Sequence, residues 1–305
     1  MMENMIYIVA PLVGFIGMMG GGYWGVGCGW VVVPTMMIFG VDTLSAVGIG
    51  LLQMVPSTIL TVRKQFPEIG WAKKGYGWSL AVPIGAGALL TSLIGKEVNS
   101  EIVEWCGSRP IQWFLIIFIG LIAVQTISSR PVSDDGGSPS ISHRKSGIAF
   151  VTGLATGLVS SMLGVGGGIL IRPLLVSGFK VPEYFTSRIV RLLVLVTTAT
   201  GGLTYLFRAG GIDYHVLGLS ALVAAGGVFG FPLGAKMHGI VCKAGYAKHI
   251  HKSFGIVTIS VPVSTILDMY GYGWLSRILM PATALVLGIY LWRFTRHAAK
   301  HPACH

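Results

Sequence analysis

Residues Gly25–Pro34 read GVGCGWVVVP, and Gly164–Pro173 read GVGGGILIRP. Aligned at one constant offset, they share the residue at Gly25/Gly164, Val26/Val165, Gly27/Gly166, Gly29/Gly168 and Pro34/Pro173, half of the block. The same offset pairs Gly87 with Gly226 and Gly95 with Gly234. An ordered glycine–proline block that recurs at one spacing marks an internal repeat. The chain reads as a first repeat over 1–128, a polar linker over 129–147, a second repeat over 148–296 and a polar tail over 297–305. The linker runs from Ser129, Arg130 and Pro131 through Asp134, Asp135, Gly136, Gly137, Ser138 and Pro139 to His143, Arg144 and Lys145. That mixture of Gly, Pro, Ser and charge suits a connection between folded units.

What surrounds the blocks is apolar. Of 305 residues, 53% are hydrophobic and 11% charged, against about 25% charged in soluble domains. Mean hydropathy is +0.73. One soluble core of this length cannot hide so much apolar surface, whereas lipid does not require it to be hidden. The sequence therefore predicts an all-α polytopic membrane protein. The net charge of +11 falls mostly in gaps between apolar runs and forms no zinc finger, basic helix or RNA-binding aromatic motif. It points to membrane topology and anionic headgroups rather than nucleic acid. Cys28, Cys106, Cys242 and Cys304 show no metal-ligand or redox spacing, so no metal or cofactor is expected. No Lys or Arg precedes Arg63, and a cleaved signal peptide needs a positive start, so the first segment is expected to remain.

The apolar runs cover roughly 5–22, 23–39, 43–62, 75–95, 110–128, 146–163, 165–178, 184–206, 214–235, 253–270 and 277–294. A helix rises about 1.5 Å per residue, so Gly164–Gly178 reaches about 22 Å, short of a bilayer core of ~30 Å. The runs at 23–39 and 165–178 each follow glycines and read as half-helices or re-entrant segments. Loop charges give the orientation. Loop 63–74 holds Arg63, Lys64, Lys73 and Lys74 against Glu68, while its counterpart 207–213 holds only Arg208 and Asp213. Loop 236–252 holds Lys236, Lys243, Lys248 and Lys252, while its counterpart 96–109 holds Glu97, Glu101 and Glu104 against Lys96 and Arg109. Basic loops face the cytoplasm. Equivalent loops then face opposite sides, which predicts two inverted-topology repeats with broken or re-entrant helices after Gly-rich turns. The scheme puts the N-terminus outside and the linker and C-terminal tail in the cytoplasm, in the inner (plasma) membrane. Inverted repeats with broken helices are a transporter architecture whose site lies near the midplane between repeats.

Two kinds of residue suggest chemistry. Gly27, Cys28 and Gly29 in one block, and Gly166, Gly167 and Gly168 in the other, each precede a half-helix. Such turns aim unpaired N–H groups and a positive dipole end inward, as a cradle for a small anion; close packing of helices through small residues is the other reading. Arg172, Arg188 and Arg191 fall within apolar stretches of the second repeat only. Charge at membrane depth costs at least about 2.5–3.5 kcal/mol and is usually functional, and guanidinium grips oxyanions through parallel N–H bonds. The alternative is that the arginines snorkel to the interface near Lys180 and Glu183, or that Glu183 neutralises one of them. Gln53, Ser57 and Thr197, with Ser160, Ser161, Thr198 and Thr200, supply hydrogen-bonding groups nearby, or else bond within and between helices. Asp42, Asp213, His215 and Asp268 sit near span ends and read as loop residues, leaving no deep carboxylate for a proton relay. The tail residues His297, His301, Cys304 and His305 are expected to lie in a disordered end without a site.

The repeated block resembles the G-[IV]-G-G-G-x-x-x-x-P signature of the TauE/SafE family of sulfite and organosulfonate exporters, and the small-residue stretches around Gly85–Gly95 and Gly226–Gly234 fit it too. The resemblance spans about residues 10–295. It implies an all-helical carrier, not an enzyme, for a sulfur-containing anion such as sulfite or a sulfoacetate-like organosulfonate. The chain departs from the family pattern at Cys28, where a third glycine is usual, and at Arg172, Arg188 and Arg191, where small or apolar residues are usual. The function expected is export of such an anion by alternating access. An anion channel, or a carrier of thiosulfate or a small carboxylate, stands as the alternative. The binding asymmetry of the arginines predicts an anion held mainly by residues 164–200.

Overall fold

The computed structural model describes residues 2–71, 75–128, 143–208 and 211–300. Fourteen helices follow in order among them: α1 (Met2–Trp24), α2 (Gly29–Ile38), α3 (Thr43–Leu52), α4 (Met54–Gln65), α5 (Val82–Ser92), α6 (Gly95–Cys106), α7 (Arg109–Ser128), α8 (His143–Leu163), α9 (Gly168–Pro173), α10 (Glu183–Leu206), α11 (Tyr214–Lys243), α12 (Ala247–Thr258), α13 (Ser260–Met269) and α14 (Gly273–Lys300). Short π-helical turns at Gly77–Ala81 and Leu174–Gly178 lead into α5 and extend α9. The β structure described is a minimal hairpin, Phe207–Arg208 against Gly211–Ile212. Seven helical stretches are long and apolar enough to span a bilayer, or eight if the bent pair over 77–106 counts as one. The chain is an all-α polytopic membrane protein.

The glycine blocks break the helices where the sequence predicts. Gly25 and Gly27 have φ of 73° and 79°, and Gly164, Gly166 and Gly167 have φ of 71°, 76° and 71°. Residues with a Cβ rarely adopt this backbone, so each chain turns there and restarts as a short apolar helix, Gly29–Ile38 or Gly168–Gly178. Several other boundaries differ from the sequence expectation. The run at 43–62 is interrupted at Gln53, and the run at 253–270 at Ile259. Segment 96–109, which the sequence predicts as a loop, is mostly helix α6. Its Ile102 and Val103 pack on the core while Glu101 and Glu104 face out, a pattern that a charge count over a loop does not register. Segment 236–252 also differs from the predicted loop, because α11 continues to Lys243 with Met237, His238 and Val241 still facing inward. The tail is helical as far as Lys300. Residues 129–142 of the linker, Lys73 and Lys74, and His301, Cys304 and His305 lie outside the described residues.

Two helix pairs organise the molecule: α1 packs along α11, and α5 along α8. Both are knit by glycines. A Cβ on Gly226 would overlap the Pro11 carbonyl, and one on Gly87 would overlap the Phe150 carbonyl. Gly14 meets Val223 and Gly153 meets Ile84 in the same way. Each contact in one pair thus recurs in the other, between the repeat-equivalents of both partners. Small residues let backbones approach closely and replace the hydrophobic drive that lipid cannot supply. Between these pairs, α3 and α4 lie against α10. Leu51 and Leu52 meet Gly201 and Gly202 at one end, and Gln65 meets Arg191 at the other. The two therefore run antiparallel.

Candidate functional site

The two glycine turns meet at the centre. A Cβ on Gly29 would strike the Gly164 carbonyl, and one on Gly168 the Val26 carbonyl. The Met54 side chain lies between the turns, with Sδ 2.7 Å from a Cβ built on Gly27 and Cε 2.7 Å from one built on Gly166. The Cys28 N–H points at Met54 Sδ at 3.4 Å. Gln53 Nε2 donates to Cys28 Sγ at 3.1 Å and to the Gly50 carbonyl, leaving Gln53 Oε1 buried without a partner. Thr197 Oγ1 donates to the Gly166 carbonyl at 2.9 Å, and both Thr197 and the unpartnered Ser160 hydroxyl flank Gly167. Gly27, Cys28, Gly29, Gly166, Gly167, Gly168, Gln53 and Thr197 therefore form one buried cluster. Ser57 lies a turn further along α4, against Gly227, with its hydroxyl unpartnered. Ser161, Thr198 and Thr200 bond to carbonyls of their own helices.

One face of α10 runs past both turns. Ser187 meets Gly25, Val194 meets Gly27 and Gly168, and Thr198 meets Gly166. Arg191 shares this face, one turn from Ser187 and from Val194. It is 2% exposed. Its Nη2 donates to the Gly22 carbonyl at 2.8 Å and its Nη1 to Gln65 Oε1 at 2.8 Å, and its Nε is unpartnered. Among the described residues no carboxylate lies within ion-pair distance of it.

The other two arginines take different places. Arg172 is buried at the end of α9, paired with Glu183 and donating to the Trp24 carbonyl. Arg188 is paired with Glu68 at 2.6 Å and lies over the Tyr184 ring, 3.3 Å from its centroid; it sits at the edge of the fold and does not join the cluster. Asp42 and Asp213 accept backbone N–H groups as N-caps of α3 and α11, a structural use that suits their positions.

His238 completes the arrangement, and the sequence hides it by placing it in a loop. Its Nδ1 lies 2.7 Å from the Tyr23 carbonyl. The last carbonyls of α1 (Gly22, Tyr23 and Trp24) are thus met by Arg191, His238 and Arg172 from three other helices. A helix C-terminus has unpaired carbonyls and a negative dipole end, so it favours cations there. Among the described residues the equivalent end of α8 is met by neutral groups: Tyr205 Oη donates to the Ser161 carbonyl and Asn99 Nδ2 to the Met162 carbonyl. Gln65 and Met54 also escape the sequence reading. Neither carries a sequence signal, since an amide at a helix end and a methionine in an apolar run are both ordinary. Among the described residues no group of three or more His, Cys, Asp or Glu side chains is placed to hold a metal.

A family model described as "Sulfite exporter TauE/SafE" matches residues 10–265. The chain belongs to the TauE/SafE sulfite exporter family. It is an integral membrane protein of a transporter family. It is 23% identical over 254 residues to a Bacillus subtilis (strain 168) protein described as "Probable membrane transporter protein YunE", an alignment that covers 77% of this chain and 89% of that one. No solved structure matches the chain. Within this TauE/SafE transporter the glycine turns of the central cluster recur in both halves, whereas Gln53, Met54 and the buried arginines each stand in one half alone.

Proposed function

We propose that this transporter exports a small sulfur-containing anion, sulfite or a sulfoacetate-like organosulfonate, by alternating access, with Arg191 as the principal anion-binding group. The observation that carries this is the state of Arg191. Burying a charge is expensive unless something neutralises it. Arg172 has Glu183, whereas Arg191 has a glutamine, a backbone carbonyl and an unused Nε–H. An oxyanion supplies the missing charge and accepts parallel N–H bonds. The neighbouring Gly25–Gly29 turn lets backbone approach a ligand closely; Gln53 meets Cys28 within it, and Thr197 and Ser160 flank Gly167 of the other turn.

Alternating access in inverted repeats rocks one unit against the other about a central site. The antiparallel course of α3–α4 against α10, and contacts that recur with partners exchanged between halves, support that arrangement. The charges of segments 63–74, 96–109, 207–213 and 236–252 favour an N-terminus outside and a cytoplasmic linker and C-terminus. Arg191 then lies about 12 Å along α10 from its cytoplasmic end. Met54, wedged between the glycine turns, must move for an anion to pass between them.

The test is sulfite counterflow in proteoliposomes, with wild type and Arg191→Gln compared at matched, folded protein. Trans-stimulated flux is expected in wild type. Its apparent affinity is expected to fall at least about tenfold in the variant, since a charged hydrogen-bond partner contributes about 1.5–3 kcal/mol. Undiminished affinity in Arg191→Gln removes Arg191 from the site, and flux without counterflow makes the protein a channel.

A further inference from the structure

We propose that His238 binds a proton when an anion occupies the adjoining arginine site, so that this transporter moves its anion together with a proton. The inference rests on the anion site at Arg191 proposed above. His238 is 3% exposed and lies on the last turns of α11. The Tyr23 carbonyl only accepts, so Nδ1 at 2.7 Å carries a hydrogen. The other nitrogen, Nε2, faces Cys242 Sγ at 3.5 Å, one turn further along the helix. In the neutral ring Nε2 accepts the thiol hydrogen. In the imidazolium Nε2 donates, and the thiol turns its sulfur toward it as acceptor. Rotation of one S–H therefore accommodates both protonation states without moving a helix.

The molecule contains its own control for the simpler view that His238 only caps α1. Asn99 is the repeat-equivalent of His238, and Met162 is that of Tyr23, at the offset that pairs Gly25 with Gly164. Asn99 Nδ2 donates at 2.8 Å to the Met162 carbonyl. An amide that does not titrate performs the same backbone task in the other half. There, Val33, Leu52 and Val103 stand at the positions that correspond to Arg172, Arg191 and Cys242. The titrating ring occurs in the half that has the buried arginines and the thiol.

The groups that face His238 set the sign of the coupling. Arg191 from α10 and Arg172 from α9 donate to the Gly22 and Trp24 carbonyls on either side of the Tyr23 carbonyl that His238 meets, so both guanidinium groups stand beside the ring. Tyr23 from α1 presents its ring edge-on at 6.4 Å, Cys242 lies on the same helix, and Glu183 is already paired with Arg172. With no anion present, the guanidinium charges oppose a third positive charge. A bound anion cancels that opposition and favours the imidazolium. Linkage makes this reciprocal, so protonation strengthens anion binding by the same factor.

Methanesulfonate is a suitable probe because its charge stays fixed while histidine titrates. In wild-type proteoliposomes an imposed methanesulfonate gradient is expected to move protons in the same direction, read by a pH dye in the lumen. Binding to purified protein is expected to tighten about tenfold from about pH 8 to about pH 6, and His238→Asn is expected to hold that change below about two-fold. Methanesulfonate flux without proton movement in wild type overturns the inference whatever the variant does. An unaltered pH profile in folded His238→Asn also overturns it. Failure of both sulfite and methanesulfonate to bind at any pH removes the anion site itself and the inference with it.

Discussion

Arg172 and Arg188 each have a carboxylate partner, and the surroundings make the two pairs unequal. Arg172 and Glu183 are 1% and 4% exposed, while Arg188 and Glu68 are 12% and 45% exposed. Removing one member of a buried pair strands an uncompensated charge and costs about 3–5 kcal/mol. An exposed pair gains little beyond what water already supplies, about 0–1 kcal/mol. Glu183→Gln should therefore lower the thermal unfolding temperature of detergent-solubilised protein sharply, and Glu68→Gln should barely move it. Equal shifts would contradict the assignment of Arg172 as the structural arginine and Arg188 as the peripheral one. All three arginines are legible in the sequence as unusual for their depth, and Glu183 is visible there as a candidate partner. Which arginine it neutralises is not, because Arg172 and Glu183 meet only once the chain folds back after Gly178.

At the scale of elements, the glycine-knit helix pairs carry the architecture. In α11, Gly226 lies against the Pro11 carbonyl, where an added methyl has no room, whereas Gly218 in the same helix has nothing within 4 Å. The backbone at Gly226 cannot yield as a flexible side chain would. Gly226→Ala should push α1 away from α11 and cost about 1–3 kcal/mol. Gly218→Ala should be neutral or stabilising by up to about 1 kcal/mol through helix propensity alone. Unfolding temperatures of the two variants measure the difference directly, and a harmless Gly226→Ala would show that the close approach is not needed. The recurring glycines are visible in the sequence, and so are the two short helices. The helical state of 96–106 and the inward face of α11 beyond residue 236 are not, since charged residues there decorate helices that still bury one side.

For the whole molecule, the proposed orientation is open to a direct test through α6. Cys106 is exposed at its end, on the segment that the loop charges assign to the outside. A variant with Cys106 as its single cysteine should react with a membrane-impermeant maleimide in intact cells with the outer barrier opened. A cysteine-free protein carrying Ser138→Cys should react only after the inner membrane is permeabilised. The reverse pattern would invert the molecule and move Arg191, His238 and Glu183 to the outer side.

By itself the sequence determined that this protein lies in a membrane, that a glycine–proline block recurs in it at one offset, and that the chain breaks at each block's glycine turn into a short helix. Composition, period and positive-φ residues act locally, so they can be read along the chain. Only the tertiary structure decided how the buried arginines and His238 are used. The end of α1 gathers Arg172, Arg191 and His238 from three helices, all of them in the opposite half of the chain from Gly22. Their roles depend on which carbonyl, carboxylate or thiol each one reaches across the fold. A chain can place a guanidinium at membrane depth, but only packing decides whether a glutamate, a glutamine or a passing anion balances its charge.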